Sequence, residues 1–226
     1  MSTENLKSQS FQQIRRQIIF CELEPGVKIS EKELEKQTGI GRTPIREALI
    51  QLRNEKLVYT IPQSGTYVSL VDMCSAANAL FARETIEKEV MQECGVKLTA
   101  MGEKQLEIIL AELNRALQMG NMKKYFEMDN AFYKTCYEIA GRAEIWHWLD
   151  ASNTHFERYR WLRLQVPKLK WRKITEDYDD LFNALTSRNL SEVSFLTTMH
   201  LHLTIEEKSL VLQKFSDYFT ADSFFD

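Results

Sequence analysis

The chain has 226 residues, of which 44% are hydrophobic and 27% charged, so it can bury the core of one large or two small domains. The sequence shows no apolar segment at its start and no run of about eighteen apolar residues, so we expect a cytoplasmic protein without a membrane helix. Four scattered cysteines without a C-x-x-C pair predict neither a disulfide framework nor a zinc finger.

Charge is distributed unevenly along the chain. The net charge of -3 does not favour nucleic-acid binding by the whole protein. Residues 1–70, however, contain 10 Lys and Arg against 8 Asp and Glu, a net charge of +2. Residues 71–226 contain 19 against 24, a net charge of -5. Only the first segment is therefore suited to contact phosphate.

The first 54 residues predict three helices. An amphipathic stripe over residues 9–22 predicts the first, which Pro25-Gly26 ends; the stripe consists of Phe11, Ile14, Ile18 and Cys21. A capping box from Ser30 to Glu33 predicts a short second helix to about Gln37. Thr43 as N-cap and Pro44 as first helical residue predict the third. Its expected buried face is Ile45, Ala48, Leu49 and Leu52.

A β-hairpin is predicted next. Two runs rich in β-branched and aromatic residues, VYTI and TYVSL, flank the turn Pro62-Gln63-Ser64-Gly65. Three helices followed by a hairpin predict a winged helix-turn-helix.

After Asp72 the pattern is almost wholly helical. Apolar repeats recur over residues 76–96, 102–119, 122–140, 143–164, 169–187 and 191–213, with breaks at Gly120-Asn121, Gly141, Pro167 and Asn189. Six helices predict an antiparallel bundle. The predicted fold is thus mainly α, with a DNA-binding domain over residues 1–71 and an all-α effector-binding and dimerisation domain over residues 72–226. The aromatic, acidic tail from Phe215 suggests no role.

The run ISEKELEKQTGIGRTPIREALIQLRNEKLV, followed by the wing SGTYV, resembles the GntR family of bacterial transcription regulators. The match includes the R-T-P-x-R-E-A-L core from Arg42 to Leu49, and it covers most of residues 10–70. Lys56 departs from the pattern, since the family usually has Gly there. The resemblance implies a regulator that binds operator DNA, and a repressor of a carbon-source operon, for a sugar acid or another organic acid.

Five residues are the candidate DNA contacts. Arg42 lies just before the third helix and Arg46 one turn into it, so both can project toward the major groove, where arginine can pair with guanine O6 and N7. Lys32 suits a phosphate or a base edge, Thr43 suits phosphate, and Gly65 lets the wing approach the backbone. Because one recognition helix covers only a half-site, we expect a homodimer on a palindromic operator of double-stranded DNA.

The helical part is similar to the FCD domain of the FadR-type branch, and its six predicted helices resemble the VanR-like subgroup. ALFARETIEKEV, MDNAFYKTCYEIAG, EDYDDLFNALTSRN and LTTMH carry this likeness. Many members bind a divalent metal through one Asp and three His. Those positions are Asp129, Tyr133, Tyr178 and His200 here. Neutral phenols are poor metal ligands, so we expect no metal cofactor, with a site on Asp129 and His200 as the alternative.

Asp129, Tyr133, Tyr178 and His200 are predicted to face the bundle interior, which leaves two interpretations. They form either a hydrogen-bonded core network or a metal-free pocket for a small polar effector. In the second case Arg83 is the expected partner of a carboxylate or phosphate, which predicts a small anionic metabolite as the effector.

Two other functions compete with effector binding. Asp129 and His200 form a possible acid/base pair, but the chain has no GxSxG, P-loop, GxGxxG or HExxH motif, so we expect no enzyme. The bundle is alternatively a docking domain for a protein partner. A thermal melt against metabolites separates these cases, because only a pocket gains stability from a small ligand.

Overall fold

The computed structural model describes residues 3–166, 171–203 and 207–224. Its N-terminal part is a winged helix-turn-helix, as predicted. The helices are α1 Thr3–Ile19, α2 Glu31–Thr38 and α3 Arg42–Asn54, and the strands are β1 Lys28–Ile29, β2 Val58–Ile61 and β3 Gly65–Val68. The strands form an antiparallel sheet in the order β1-β3-β2. We did not predict β1, because two residues are too few to show an alternating pattern.

Local capping explains where α2 and α3 begin. The amide of Glu33 donates to the Ser30 hydroxyl at 3.2 Å, and that hydroxyl donates to the Glu33 carboxylate at 2.7 Å, so the predicted capping box is present. The predicted start of α3 was wrong: Gly41 is the N-cap, Thr43 is already helical, and no side chain caps the helix. Pro44 is still within the first turn, where its missing N–H leaves no helical bond unmade.

The core of this part lies between α1 and α3. Five side chains from the two helices are completely buried: Ile14, Ile18, Ile45, Ala48 and Leu52. Leu49, which we placed on the buried face, is only half-buried. Cys21, the last residue of the predicted α1 stripe, is also only half-buried and lies after the end of α1. The periodic stripes therefore predicted the packed faces with two exceptions.

The remaining elements are helical. They are α4 Met73–Lys97, α5 Ala100–Gln118, α6 Met122–Ala140, α7 Ala143–Ser152, α8 Thr154–Leu164, α9 Trp171–Thr186, α10 Leu190–Leu203, α11 Lys208–Lys214, and two 3-10 turns over Ser216–Tyr218 and Ala221–Phe224. None of the helices in the described ranges is long and apolar enough to cross a membrane.

The described residues contain eight helices after Asp72 where we predicted six. The predicted helix 143–164 is two helices, α7 and α8, and the predicted helix 191–213 includes both α10 and α11. The first break falls at Ser152-Asn153-Thr154, residue types that are stable at helix ends and less so in helix interiors. The predicted break at Pro167, the first two residues of the predicted helix 169–187, and residues 204–206 lie outside the described residues.

The chain divides into two compact units that do not follow chain order. One contains residues 1–77, 151–162 and 211–226, and the other contains residues 78–150 and 163–210. We call the first the DNA-reading unit, after the function that its sequence predicts, and the second the bundle unit. The DNA-reading unit thus includes most of α8 and the C-terminal tail, which sequence patterns assigned to the helical domain.

Within the DNA-reading unit, α8 and the tail hold the segment that follows β3. The Arg158 guanidinium donates to the carbonyls of Ser69 at 2.5 Å and Leu70 at 3.2 Å. On the tail side, the Val71 amide donates to the Tyr218 carbonyl at 2.8 Å, and the Thr220 amide donates to the Val71 carbonyl at 2.9 Å. We call these four hydrogen bonds the linker clasp. They give the tail, for which the sequence suggested no role, a structural task.

The end of α3 is tied to α8 in the same unit. The Thr154 hydroxyl donates to the carbonyl of Glu55 at 3.0 Å, directly after the last residue of α3. Next to it, the Asp72 amide donates to Nδ1 of His155 at 3.0 Å. Burial and the nearby charge of Arg158 lower the pKa of His155 to about 4, so the imidazole is neutral.

Candidate functional site

The first turns of α2 and α3 present the predicted DNA contacts together. Arg42 and Arg46 are well exposed, with 63% and 57% of their side-chain surface accessible. Lys32 and Thr43 are also exposed, at the second residue of α2 and of α3 respectively. The three predicted cations, Arg42, Arg46 and Lys32, are therefore accessible to DNA.

A carboxylate that we had not predicted lies between the two arginines. Oε2 of Glu31 accepts from Nε of Arg42 at 2.6 Å, and both carboxylate oxygens accept from Nε of Arg46, at 2.8 and 3.0 Å. The hydrogen bond from Arg42, with a further one from Arg46, lowers the pKa of Glu31. Glu31 is 11 and 15 residues from its partners, so no helical spacing pointed to it.

A groove of about 210 Å³ separates α3 from the wing hairpin. It is lined by Glu31, Arg46, Leu49, Ile50, Arg53, Thr60 and Thr66. Arg53 is exposed here, about two turns beyond Arg46 on α3. Sequence reasoning left Arg53 out of the DNA contacts, although its spacing of seven residues from Arg46 placed it on the same helix face.

The wing turn favours glycine at Gly65 because of its backbone conformation. Its φ of 144° is a conformation that L side chains rarely adopt. An added Cβ would lie 2.6 Å from Cε of Lys28, but this flexible side chain can move away. Lys28 itself is exposed on β1 and crosses over this glycine. The role we predicted for Gly65, close approach to the DNA backbone, thus has a cation beside it.

The bundle unit brings together the five residues predicted to bind an effector. Tyr178 on α9 donates a hydrogen bond to Oδ1 of Asp129 on α6. His200 on α10 places Nε2 3.9 Å from the same oxygen, and its ring centroid lies 5.0 Å from that of Tyr178 and 5.9 Å from that of Tyr133. Arg83 on α4 lies over Tyr133, with Cζ 5.7 Å from the ring centroid.

Two further buried residues belong to this cluster, Glu87 and Tyr137. Nε of Arg83 donates to Oε1 of Glu87 at 2.6 Å, and the two side chains are 2% and 0% exposed. The hydroxyls of Tyr133 and Tyr137 and Oε2 of Glu87 have no hydrogen-bond partner among the described residues. Burial raises the pKa of Tyr133 well above its usual value, and burial together with Glu87 raises that of Tyr137. Both phenols therefore keep their protons and can donate a hydrogen bond to a ligand.

Comparison with known families decides the identity of both parts of the sequence. A model described as bacterial regulatory proteins of the gntR family matches residues 6–68, and the FCD domain model matches residues 78–203. The chain belongs to the GntR family. It is a transcription regulator with an FCD domain, as the sequence resemblance predicted.

Relatives of this GntR-family regulator support the same conclusion. It is 28% identical over 223 residues to the HTH-type transcriptional repressor RspR of Escherichia coli, an alignment that covers 97% of this chain and 96% of RspR. The structure of E. coli McbR/YncC superimposes with a TM-score of 0.82, at 19% identity and coverage of 95% and 99%. A GntR regulator from Rhodococcus sp. RHA1 gives a TM-score of 0.72, at 14% identity and coverage of 92% and 98%. At these identities the two structures show the fold alone.

The four ligand positions that the FCD resemblance supplies do not fit a metal site in this regulator. Asp129 Oδ1 already accepts from Tyr178, and the buried Tyr133 phenol keeps its proton. Across the residues that the structure describes, no three His, Cys, Asp or Glu side chains are grouped to hold a metal ion. Protonated phenols are weak ligands beside imidazole or thiolate. We therefore assign no chemistry to a metal at this position.

Proposed function

We propose that this regulator is a homodimeric repressor that binds a palindromic operator and responds to a small polar effector in the bundle unit. The observation that carries the DNA part is the exposed pair Arg42 and Arg46 at the start of the recognition helix α3. Arginine at this position of a helix-turn-helix can read guanine. Lys32, Thr43 and Gly65 are proposed to contact the phosphate backbone.

The DNA part is tested by replacing the two arginines one at a time. Arg42→Ala or Arg46→Ala should cost on the order of 1 to 3 kcal/mol on the operator and relax base preference, while Lys32→Ala weakens all sequences alike. Operator sequences are first obtained by in vitro selection with the wild-type protein. Wild-type base preference in both Arg variants would show that α3 does not read the operator through these residues.

The homodimer is proposed because a single helix-turn-helix covers one half-site and seldom gives adequate affinity alone. Light scattering of the free protein and of its operator complex measures the stoichiometry. We expect two chains on each palindrome. A monomer in both states contradicts the proposal.

The effector part is supported by the buried polar atoms without partners, Glu87 Oε2 and the hydroxyls of Tyr133 and Tyr137. Buried polar groups normally have hydrogen-bond partners, so these atoms favour a site for a polar ligand or water. We predicted an anionic effector from Arg83. In the structure Glu87 offsets that charge and Asp129 adds a second buried carboxylate. We therefore propose an effector that offers hydroxyl or amino groups to these acids and acceptors to the phenols.

Tyr133→Phe and Tyr137→Phe test this site because they remove only the hydroxyls. Thr135→Val is the matched control, since Thr135 is on the same helix but lines a different groove with Gln105 and Ile108. A panel of polyols, amino compounds and organic acids is titrated into the operator complex. We expect the two Phe variants to respond at least several-fold less to an active compound than Thr135→Val does. An equal response in all three places the effector elsewhere.

We also propose that the regulator works without a transition metal. Elemental analysis of the purified protein should find less than stoichiometric zinc, nickel and manganese. One equivalent of metal that is lost in His200→Ala would show that Asp129 and His200 form a metal site after all.

A further inference from the structure

The carboxylate of Glu31 joins the two base-reading arginines, and this arrangement has a direct consequence for recognition. Its two oxygens accept from Nε of Arg42 and Nε of Arg46 at 2.6 to 3.0 Å. Glu31 is 28% exposed, less than half as much as either arginine. The Glu31 side chain is thus less accessible than the two arginine side chains that it binds.

The atoms used in these contacts determine what each arginine still offers. Both arginines bind Glu31 through Nε, and no hydrogen bond of their terminal nitrogens is recorded among the described residues. An arginine has five N–H donors in a fixed planar fork. The two terminal nitrogens are therefore left for a ligand, and they form the pair that can bind O6 and N7 of one guanine.

The shared carboxylate also fixes the separation of the two side chains. Both Nε atoms lie within 3.0 Å of Oε2 of Glu31, so they are less than twice that distance apart. Base pairs are stacked about 3.4 Å apart along DNA. Two forks held within this distance of each other can reach the edges of neighbouring base pairs.

We propose that Glu31 is a positioning residue that orients Arg42 and Arg46 toward guanines on two neighbouring base pairs. The inference rests on the proposed function of the two arginines as base readers. Holding two long side chains before binding reduces the entropy lost on the correct sequence. The same carboxylate weakens attraction to phosphate, because it reduces the net positive charge of the surface. Glu31 should therefore raise affinity for the operator and lower affinity for other DNA.

Glu31→Ala and Glu31→Gln test this, with Glu35→Gln as control because it removes a charge from the same helix without a recorded hydrogen bond to either arginine. Affinities for the selected operator and for a random duplex of equal length are measured by fluorescence anisotropy at one salt concentration. We expect Glu31→Ala to lose roughly tenfold on the operator and to bind the random duplex as tightly as wild type or more so. Glu31→Gln should fall between, since its amide oxygen still accepts one hydrogen bond.

Three results would overturn the inference. Equal gains on both DNAs would show that Glu31 merely competes with DNA for the arginines. Equal losses would show a structural role, and unchanged affinities for both DNAs would show no role. If Arg42→Ala and Arg46→Ala lose discrimination while Glu31→Ala keeps it, only this inference fails. If the arginine variants keep discrimination, the proposed base-reading function of α3 is itself wrong.

Discussion

Removing Arg83 alone should strongly destabilise the bundle unit. Its Nε lies 2.6 Å from Oε1 of Glu87, and the two side chains are 2% and 0% exposed. Arg83→Met leaves the Glu87 carboxylate buried without this cation, which costs about 3 to 5 kcal/mol. Since a domain is stable by only about 5 to 15 kcal/mol, this is a large part of the total. The double variant Arg83→Met with Glu87→Leu removes both charges and should be close to wild type.

Urea unfolding followed by circular dichroism measures these differences. The control is Lys134→Met, because Lys134 and Glu138 have the same i, i+4 order at 3.7 Å but are 48% and 51% exposed. An exposed helical pair contributes only about 0.3 to 0.5 kcal/mol. If Arg83→Met costs no more than Lys134→Met, or if the double variant is no better than the single one, the argument from burial is refuted. The same experiment matters for effector studies, since a response lost in Arg83→Met can reflect unfolding.

Three further predictions concern the DNA-reading unit. Lys56 has a φ of 59°, so Lys56→Gly should raise the free energy of unfolding in urea by about 1 kcal/mol. Lys56→Ala keeps the backbone strain and should be stabilised far less. Equal stabilisation in the two variants would contradict the prediction. The pKa of His155 is lowered from 6.5 to about 4, so its contribution to stability is complete above pH 6.5 and is lost as the pH falls toward 4. His155→Asn should remove this pH dependence of the free energy of unfolding. A wild-type pH profile parallel to that of the variant would be the opposing result. Thr154→Val removes the donor to the Glu55 carbonyl and should cost about 1 kcal/mol, whereas Thr43→Val at an exposed position should change the unfolding midpoint little.

Local patterns predicted much of the winged helix-turn-helix. The capping box at Ser30 and the buried stripe of α3 are short-range features, so the sequence shows them directly. The start of α3 was predicted two residues late because Thr43 is a good N-cap by residue type, and backbone geometry chose Gly41. At Lys56, by contrast, the sequence itself indicated the unusual position. Its departure from the family glycine was visible in the sequence, and the structure gives that position a positive φ.

Site residues that are related by helical spacing were predicted, whereas residues that only a tertiary contact brings together were missed. Asp129 and Tyr133 are one turn apart on α6, so a shared inward face was predictable. Glu31 was missed because it meets Arg42 across a turn, and Tyr137 because its unpaired hydroxyl has no signature in the sequence. That most of α8 belongs to the DNA-reading unit depends on contacts about 90 residues apart, as from Arg158 to Ser69, which no local pattern contains.

The linker clasp limits how regulators of this kind can be recombined. A chimera that joins residues 1–77 to the effector domain of another family member would keep Ser69, Leu70 and Val71 but lose their partners. The foreign half must therefore supply an arginine in place of Arg158 and a tail that pairs with Val71, or the backbone groups of this segment lose their bonds. A graft that retains residues 151–162 and 211–226 of this chain avoids that loss. The DNA-reading unit thus consists of three separate stretches of the chain, and a single crossover after the wing does not transfer all of them.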